Sequence, residues 1–385
     1  MFSPQFTRSV YRYWAPTAMT FFVNGVGFGG WAAQIPNAIS RLRVDDGTFG
    51  LMLLGMGIGA VIAMVFSGRL IARYGAGLLI RLSLGLFLAA YIALSITSDF
   101  WLFVAILLLF GASGGLTDVA MNAYASDVER HMKWRVMASF HGMWSIGGLI
   151  GAAAVGYMLA VFSDLTQGLV LSICLLALFM TCQHNLIPLQ HHIEGTSRRR
   201  LAIDRATIIL GILAAICFSA EGAVRDWSSL FLSRETHAAI DRAGWGYAAM
   251  SATMALCRFS GDWMRLYFGE RRVMLFSSAV AIAGFLLAVL SDRPMPAIAG
   301  FGLVGLGLSN TVPILISAAG RTSTPGASIA FAVSFGYAGL LASPPLLGFI
   351  ASETSLGTMF LIVAVSCVAI TVGWASLPAA AEEKK

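Results

Sequence analysis

Glu221, Arg225 and Asp226 stand within six residues of one another in the otherwise apolar stretch CFSAEGAVRDWSSLFL, Cys217 to Leu232. A carboxylate and a guanidinium four positions apart share one face of a helix, where they can pair. In an apolar setting desolvation favours the neutral acid, while a nearby cation favours the carboxylate. Three chemistries are therefore open. Glu221 exchanges a proton while Arg225 tunes it, or the two form a permanent pair that holds a gate or helix contact, or one of them touches a ligand directly. Asp226 and Trp227 come next, where the pattern places the outer end of the helix; Asp226 is a candidate for a boundary ion pair and Trp227 for an interfacial anchor.

The same spacing recurs at Arg258 and Asp262, read as a gate ion pair or, in the alternative, a substrate contact. Asp118 lies inside another apolar stretch, with Asn122 one turn on. It caps a helix break at SGGLTD, locks a gate, or titrates. His141 is either a proton relay or a histidine hydrogen-bonded to a neighbouring helix. Asn24, Gln34, Asn122, Asn310 and Tyr337 add uncharged donors and acceptors, and Trp31 and Trp144 add ring faces. This set suits a sugar or another polar solute better than a strong anion. The five cysteines sit in apolar runs without metal spacing. No GxxxxGK[ST] phosphate loop, HExxH or nucleophile elbow is present, so the sequence points to no cofactor, no metal, no ATP-driven step and no membrane enzyme.

The elements that carry these residues follow from composition. Hydrophobic residues make up 58% of the 385 and charged ones 11%, with a mean hydropathy of +0.79. Soluble domains hold about a quarter charged residues, so this is an integral membrane protein. Windows near 20 apolar residues, the length that crosses a bilayer, occur at 14–38, 48–72, 78–97, 100–125, 136–160, 166–186, 206–232, 242–266, 272–291, 295–319, 327–351 and 354–377. The expected fold is all-α, with twelve transmembrane helices in two pseudo-symmetric six-helix bundles, 1–187 and 206–385, joined by a solvated linker over 188–205.

Eighteen of the 25 Lys and Arg residues fall on one side of this topology and five on the other. Cytoplasmic loops accumulate such residues, which sets both termini in the cytoplasm of a multi-pass cell-membrane protein. The net charge of +6 is then explained by lipid-facing loops without nucleic acid. A shift of 192 to 194 positions brings GLTD at 115–118 onto GLSN at 307–310, SGRL at 67–70 onto SGDW at 260–263, and Gly142 onto Gly336. Such parallel repeats are a plan of secondary transporters whose solute site lies between the halves.

SGRLIARYGAGLLIR, Ser67 to Arg81, resembles the loop motif G-x-L-x-D-R-x-G-R-K of the major facilitator superfamily. Gly68, Leu70, Arg73 and Gly75 match, while Ala72 replaces the acid and Ala76 and Gly77 replace the basic pair. GGLTDVAMNAYASDVER, SFHGMWSIGGLIGA and AEGAVRDWSSLFL are similar to the fucose-permease-like and YbjJ-like branch. The resemblance implies alternating access, cavity-lining first, fourth and fifth spans in each half, a gate role for Arg73, and an acid on span four for proton coupling, which is Asp118 here. It also implies an acid on span one, where this chain has Asn24.

The expected function is secondary transport of a small polar solute, such as a sugar, by proton-coupled symport through Glu221, Asp118 or His141, with another cation as the alternative coupling ion. The competing readings are a proton antiporter exporting amphipathic compounds and a non-transporting sensor on the same scaffold. A monomer in the lipid bilayer is expected.

Overall fold

Helix starts are written locally in this chain. Asp45, Asp99, Ser163, Asp204 and Ser355 each accept a hydrogen bond from the backbone N–H three residues on, at 2.8 to 3.2 Å, so one orphan donor of each helix is satisfied. The computed structural model describes residues 10–132, 136–183, 204–322 and 325–377, and these are almost wholly helical. Most of the linker over 188–205 lies outside the described residues.

The first six long helices are α1 (Ala15–Leu42), α2 (Asp46–Tyr74), α3 (Ala76–Ile96), α4 (Phe100–Met132), α5 (Met137–Val161) and α6 (Asp164–Cys182). The second six are α7 (Arg205–Glu235), α8 (Trp245–Phe268), α9 (Glu270–Val289), α10, α11 (Pro325–Glu353) and α12 (Leu356–Ala375). Helix α10 is in two pieces, α10a (Pro294–Leu308) and α10b (Thr311–Ala319). Pro313 has no N–H for the carbonyl of Ser309, and its ring opposes a straight continuation, so the helix breaks at Ser309 and Asn310. Among the described residues ten segments are long and apolar enough to cross a membrane. The other two, α1 and α8, have 28 and 24 residues; Asn24, Gln34, Asn37 and Arg41 dilute the first, and Arg258, Asp262 and Arg265 the second.

The chain divides into two compact units, Met1–Val44 with Met52–Glu194, and Asp45–Leu51 with Gly195–Lys385. In the first, α1 runs along α5, and α3 packs on α4 and α6. In the second, α7 runs along α11, and α9 packs on α10a and α12. The pairing of elements repeats in order. So does the turn after the second helix of each half: Gly75 and Gly269, 194 positions apart, have φ of 79° and 77°, a region open to glycine at little cost. The first turns of α2 depart from the division expected at 188–205, because Asp45–Leu51 packs with the second unit.

The α1–α5 seam is made by small residues. A methyl group built on Gly25, Gly29, Gly147 or Gly151 would lie 2.1 to 2.3 Å from a backbone carbonyl oxygen of the facing helix. In lipid no hydrophobic force drives helices together, so such close backbone approach supplies the dispersion contacts. Trp31, Phe28, Phe87, Phe103 and Phe110 fill the core of the first unit. Phe231, Phe285, Phe301 and Phe360 fill that of the second.

Candidate functional site

Helix α7 runs from Arg205 to Glu235, three residues beyond the expected end. At 1.5 Å per residue Glu221 lies about 24 Å from its start, close to the middle. Asp226 and Trp227 come nine and eight residues before its end. Both are fully buried, and the reading of Trp227 as an interfacial anchor is corrected; among the described residues its indole N–H has no acceptor.

The expected Glu221–Arg225 pair is also corrected. Arg225 instead turns to its neighbour: Nε donates to Asp226 Oδ1 at 2.8 Å and Nη2 to Oδ2 at 2.9 Å. A planar fork meeting both carboxylate oxygens is the strong form of this pair, and the Asp226 side chain is only 1% exposed. Among the described residues Glu221 makes no hydrogen bond and no ion pair within 4 Å. The charges of Arg258 and Arg225 are close enough to act on it. Tyr247 of α8 belongs to the same group, within electrostatic reach of Arg225, Glu221 and Arg258. The expected Arg258–Asp262 partnership concerns a side chain, Asp262, that lies outside the described residues.

In the first unit Asn24 is buried on α1, its Oδ1 accepting from Trp144 Nε1 of α5 at 3.0 Å. Among the described residues its Nδ2 donor is without a partner, as is the indole N–H of Trp31 two turns along. Gln34 has a different setting: Nε2 donates to Ser95 Oγ at 2.8 Å and to Gln167 Oε1, and Gln167 in turn donates to the Tyr91 hydroxyl at 2.9 Å. This knot joins α1, α3 and α6 inside the unit. Helix α4 is continuous through SGGLTD, so Asp118 caps no break there. Asn122 Nδ2 donates to the Asp118 carbonyl at 2.9 Å and to its Oδ1 at 3.2 Å. His141 meets the ring of Phe21 edge-on at 5.4 Å.

The remaining predicted residues fall apart from these groups. Arg73 is exposed, over the ring of Tyr74 at 5.2 Å. Asn310 sits in the α10 break, its Nδ2 lying 3.9 Å from Met264 Sδ. Tyr337 of α11 stacks on Phe218 of α7 at 5.7 Å.

Two charged arrangements carry no signal in the sequence. Arg234 Nη1 donates to Asp46 Oδ1 at 2.7 Å and Oδ2 at 2.9 Å, fastening the start of α2 to the end of α7. Beside it Gly50 and Gly348 approach so closely that a methyl on Gly348 would lie 3.0 Å from the Gly50 Cα. Glu270, buried, takes Arg265 Nη2 at 2.5 Å and also Arg321, with Ser317 accepting from both arginines. Arg321 and Glu270 are 51 positions apart and Arg234 and Asp46 188, beyond any local pattern, while Arg265 and Glu270 are five apart.

Residues 17–224 match the profile of the Major Facilitator Superfamily. An uncharacterized MFS-type transporter of Yersinia pestis is 36% identical over 92% of this chain and 91% of its own. The membrane protein MosC of Rhizobium meliloti is 31% identical over 90% and 85%. Among solved structures, the nucleoside transporter NupG overlaps 94% of this chain and 98% of its own at 15% identity, with a TM-score of 0.75. The transporter FucP, in the outward conformation, overlaps 96% and 100% at 16% identity with a TM-score of 0.64. Both share the fold of this chain. Family, helices and overlap together make this a multi-pass membrane transporter of the Major Facilitator Superfamily, to which the chain belongs.

Proposed function

We propose that the protein accumulates a small polar solute, a sugar or nucleoside, by alternating access, and that Glu221 couples the movement to protons. The observation that carries this reading is the unfixed carboxylate of Glu221 in the middle of a membrane helix. An ionisable group at that depth is costly unless it has work to do or a partner, and its nearest cation on the same helix is already committed to Asp226. A carboxylate free of a fixed hydrogen bond changes protonation without first breaking one. Arg258 and Tyr247 supply the polar surroundings in which the ionised form is tolerated.

The solute class rests on chemistry and likeness together. Asn24 offers an unpartnered donor, which suits the hydroxyl, ring and carbonyl oxygens of polyhydroxy compounds and nucleosides. NupG, whose fold this chain shares, is a nucleoside transporter. Asp118 and His141 are the secondary candidates for proton transfer, and the cytoplasmic position of both termini belongs to the same proposal.

Alternating access also requires the Asp45–Leu51 segment to leave its seat on α7 and α11, breaking Asp46–Arg234. The test is uptake into proteoliposomes under an imposed pH gradient with a panel of sugars and nucleosides. Gradient-driven accumulation supports symport. Gradient-driven extrusion would replace it with the exporter, and no flux of any compound with the non-transporting sensor.

A further inference from the structure

Arg225 has two carboxylates within reach and serves one. Four residues upstream stands Glu221, at the spacing that favours a helical ion pair with the acid on the N-terminal side. The next residue is Asp226, which does not face Arg225 by helical geometry. The side chain nevertheless folds sideways to it and uses both edges of the fork. Burial explains the choice. Asp226 is 1% exposed and Arg225 15%, so an unpaired Asp226 would be a stranded charge, the costliest state available to this helix. Glu221 is the less enclosed of the two carboxylates and is the one left outside the fork.

We propose that Asp226 is a positioning residue: by holding the Arg225 guanidinium, it keeps that cation from locking onto Glu221 and so leaves Glu221 able to exchange its proton. This rests on the proton-coupling reading of Glu221 given above. The pair presents Glu221 with a near-neutral dipole instead of a full positive charge, and the other cation whose charge reaches it is Arg258 of α8. The other titratable groups around this stretch are Tyr247 of α8, Cys217 of α7, Cys367 of α12 near Cys217, and Tyr337 of α11 against Phe218. Among the described residues none of these brings a second carboxylate to Arg225.

Infrared difference spectra of the purified protein in liposomes, recorded between acidic and alkaline buffer, read the protonated carboxyl directly and need no solute. In the unchanged protein a carboxyl band rises on acidification and is absent in Glu221→Gln. Asp226→Asn frees Arg225 to pair with Glu221, and the band is lost from the same interval. Arg225→Gln with Asp226→Asn removes both partners, and the band returns. A band that persists in Asp226→Asn, or that stays lost in the double variant, overturns the proposal. Absence of any Glu221 band in the unchanged protein overturns instead the coupling reading beneath it. Should Asp226→Asn not fold, Arg225→Lys serves: lysine keeps the charge but cannot form the two-point fork, so the band weakens, and an unaltered band contradicts the proposal.

Discussion

Gly29→Ala should loosen the α1–α5 seam, and the size of the effect can be worked from the distances. The new methyl would lie 2.2 Å from the carbonyl oxygen of Gly148, where carbon and oxygen in contact need about 3.3 Å. The obstacle is backbone within a helix, so no side chain can swing away, and the two helices must separate by about 1 Å. A gap of that order forfeits a quarter to a half of each dispersion contact along the seam. Overpacking of this kind costs about 1 to 3 kcal/mol. Gly25, Gly147 and Gly151 make equivalent approaches from both sides, so Gly29→Ala combined with Gly151→Ala should cost less than the sum, the first methyl having already parted the helices. Gly85→Ala is the control, since nothing lies within 4 Å of its added methyl and the helix gains about 1 kcal/mol or less in propensity. Thermal unfolding in detergent reads the difference. Equal melting temperatures for Gly29→Ala and Gly85→Ala would refute the close-packed seam.

Three further outcomes follow from local geometry. A Cβ at Gly47 would lie 3.6 Å from Ser352 Cβ, inside the disulfide range of about 3.5 to 4.5 Å; Gly47→Cys with Ser352→Cys should cross-link under oxidation, stop transport, and recover with reductant, and free transport by the cross-linked form would contradict the required detachment of Asp45–Leu51. Thr48 donates to Asp45 from its N–H and its hydroxyl, which holds that exposed carboxyl below the usual range. Its folded pKa is depressed, so its contribution is present above the unfolded value of about 3.9 and is lost as pH falls through the folded one. Asp45→Ala should therefore lower stability at neutral pH by about 0.5 to 1 kcal/mol and make less difference in strong acid, as read by melting curves against pH. Gln167→Leu removes the acceptor of one Gln34 N–H and the donor to the Tyr91 hydroxyl and should cost about 1 to 3 kcal/mol, while leaving the apparent KM for solute unchanged; an altered KM at unchanged melting temperature would move this knot from the framework to the solute site.

Hydropathy made the twelve helices legible, and most windows lie within a few residues of the helix ends. The exceptions have physical reasons. Helix α4 continues to Met132 because polar helical turns extend past the apolar stretch, where composition gives no stop. The α10 break was marked by Pro313 beside GLSN, a signal that an apolar window averages away. At Glu221 the sequence revealed the unusual charges but not their pairing, because i, i+4 spacing predicts proximity while burial decides which carboxylate Arg225 satisfies. The Asp46–Arg234 and Glu270–Arg321 contacts were beyond reach, since they depend on which helices pack together. Gln34 shows the converse: its polarity in an apolar helix suggested a solute contact, yet it bonds to Ser95 and Gln167 inside the first unit.

The central claim is that Glu221 exchanges the coupling proton. Once the solute panel has named a transported compound, Glu221→Gln in proteoliposomes tests it in one comparison of accumulation with exchange. The account predicts that Glu221→Gln still exchanges labelled for unlabelled solute across the membrane but no longer accumulates it against a gradient when a pH difference is imposed. Full gradient-driven accumulation by Glu221→Gln would contradict it.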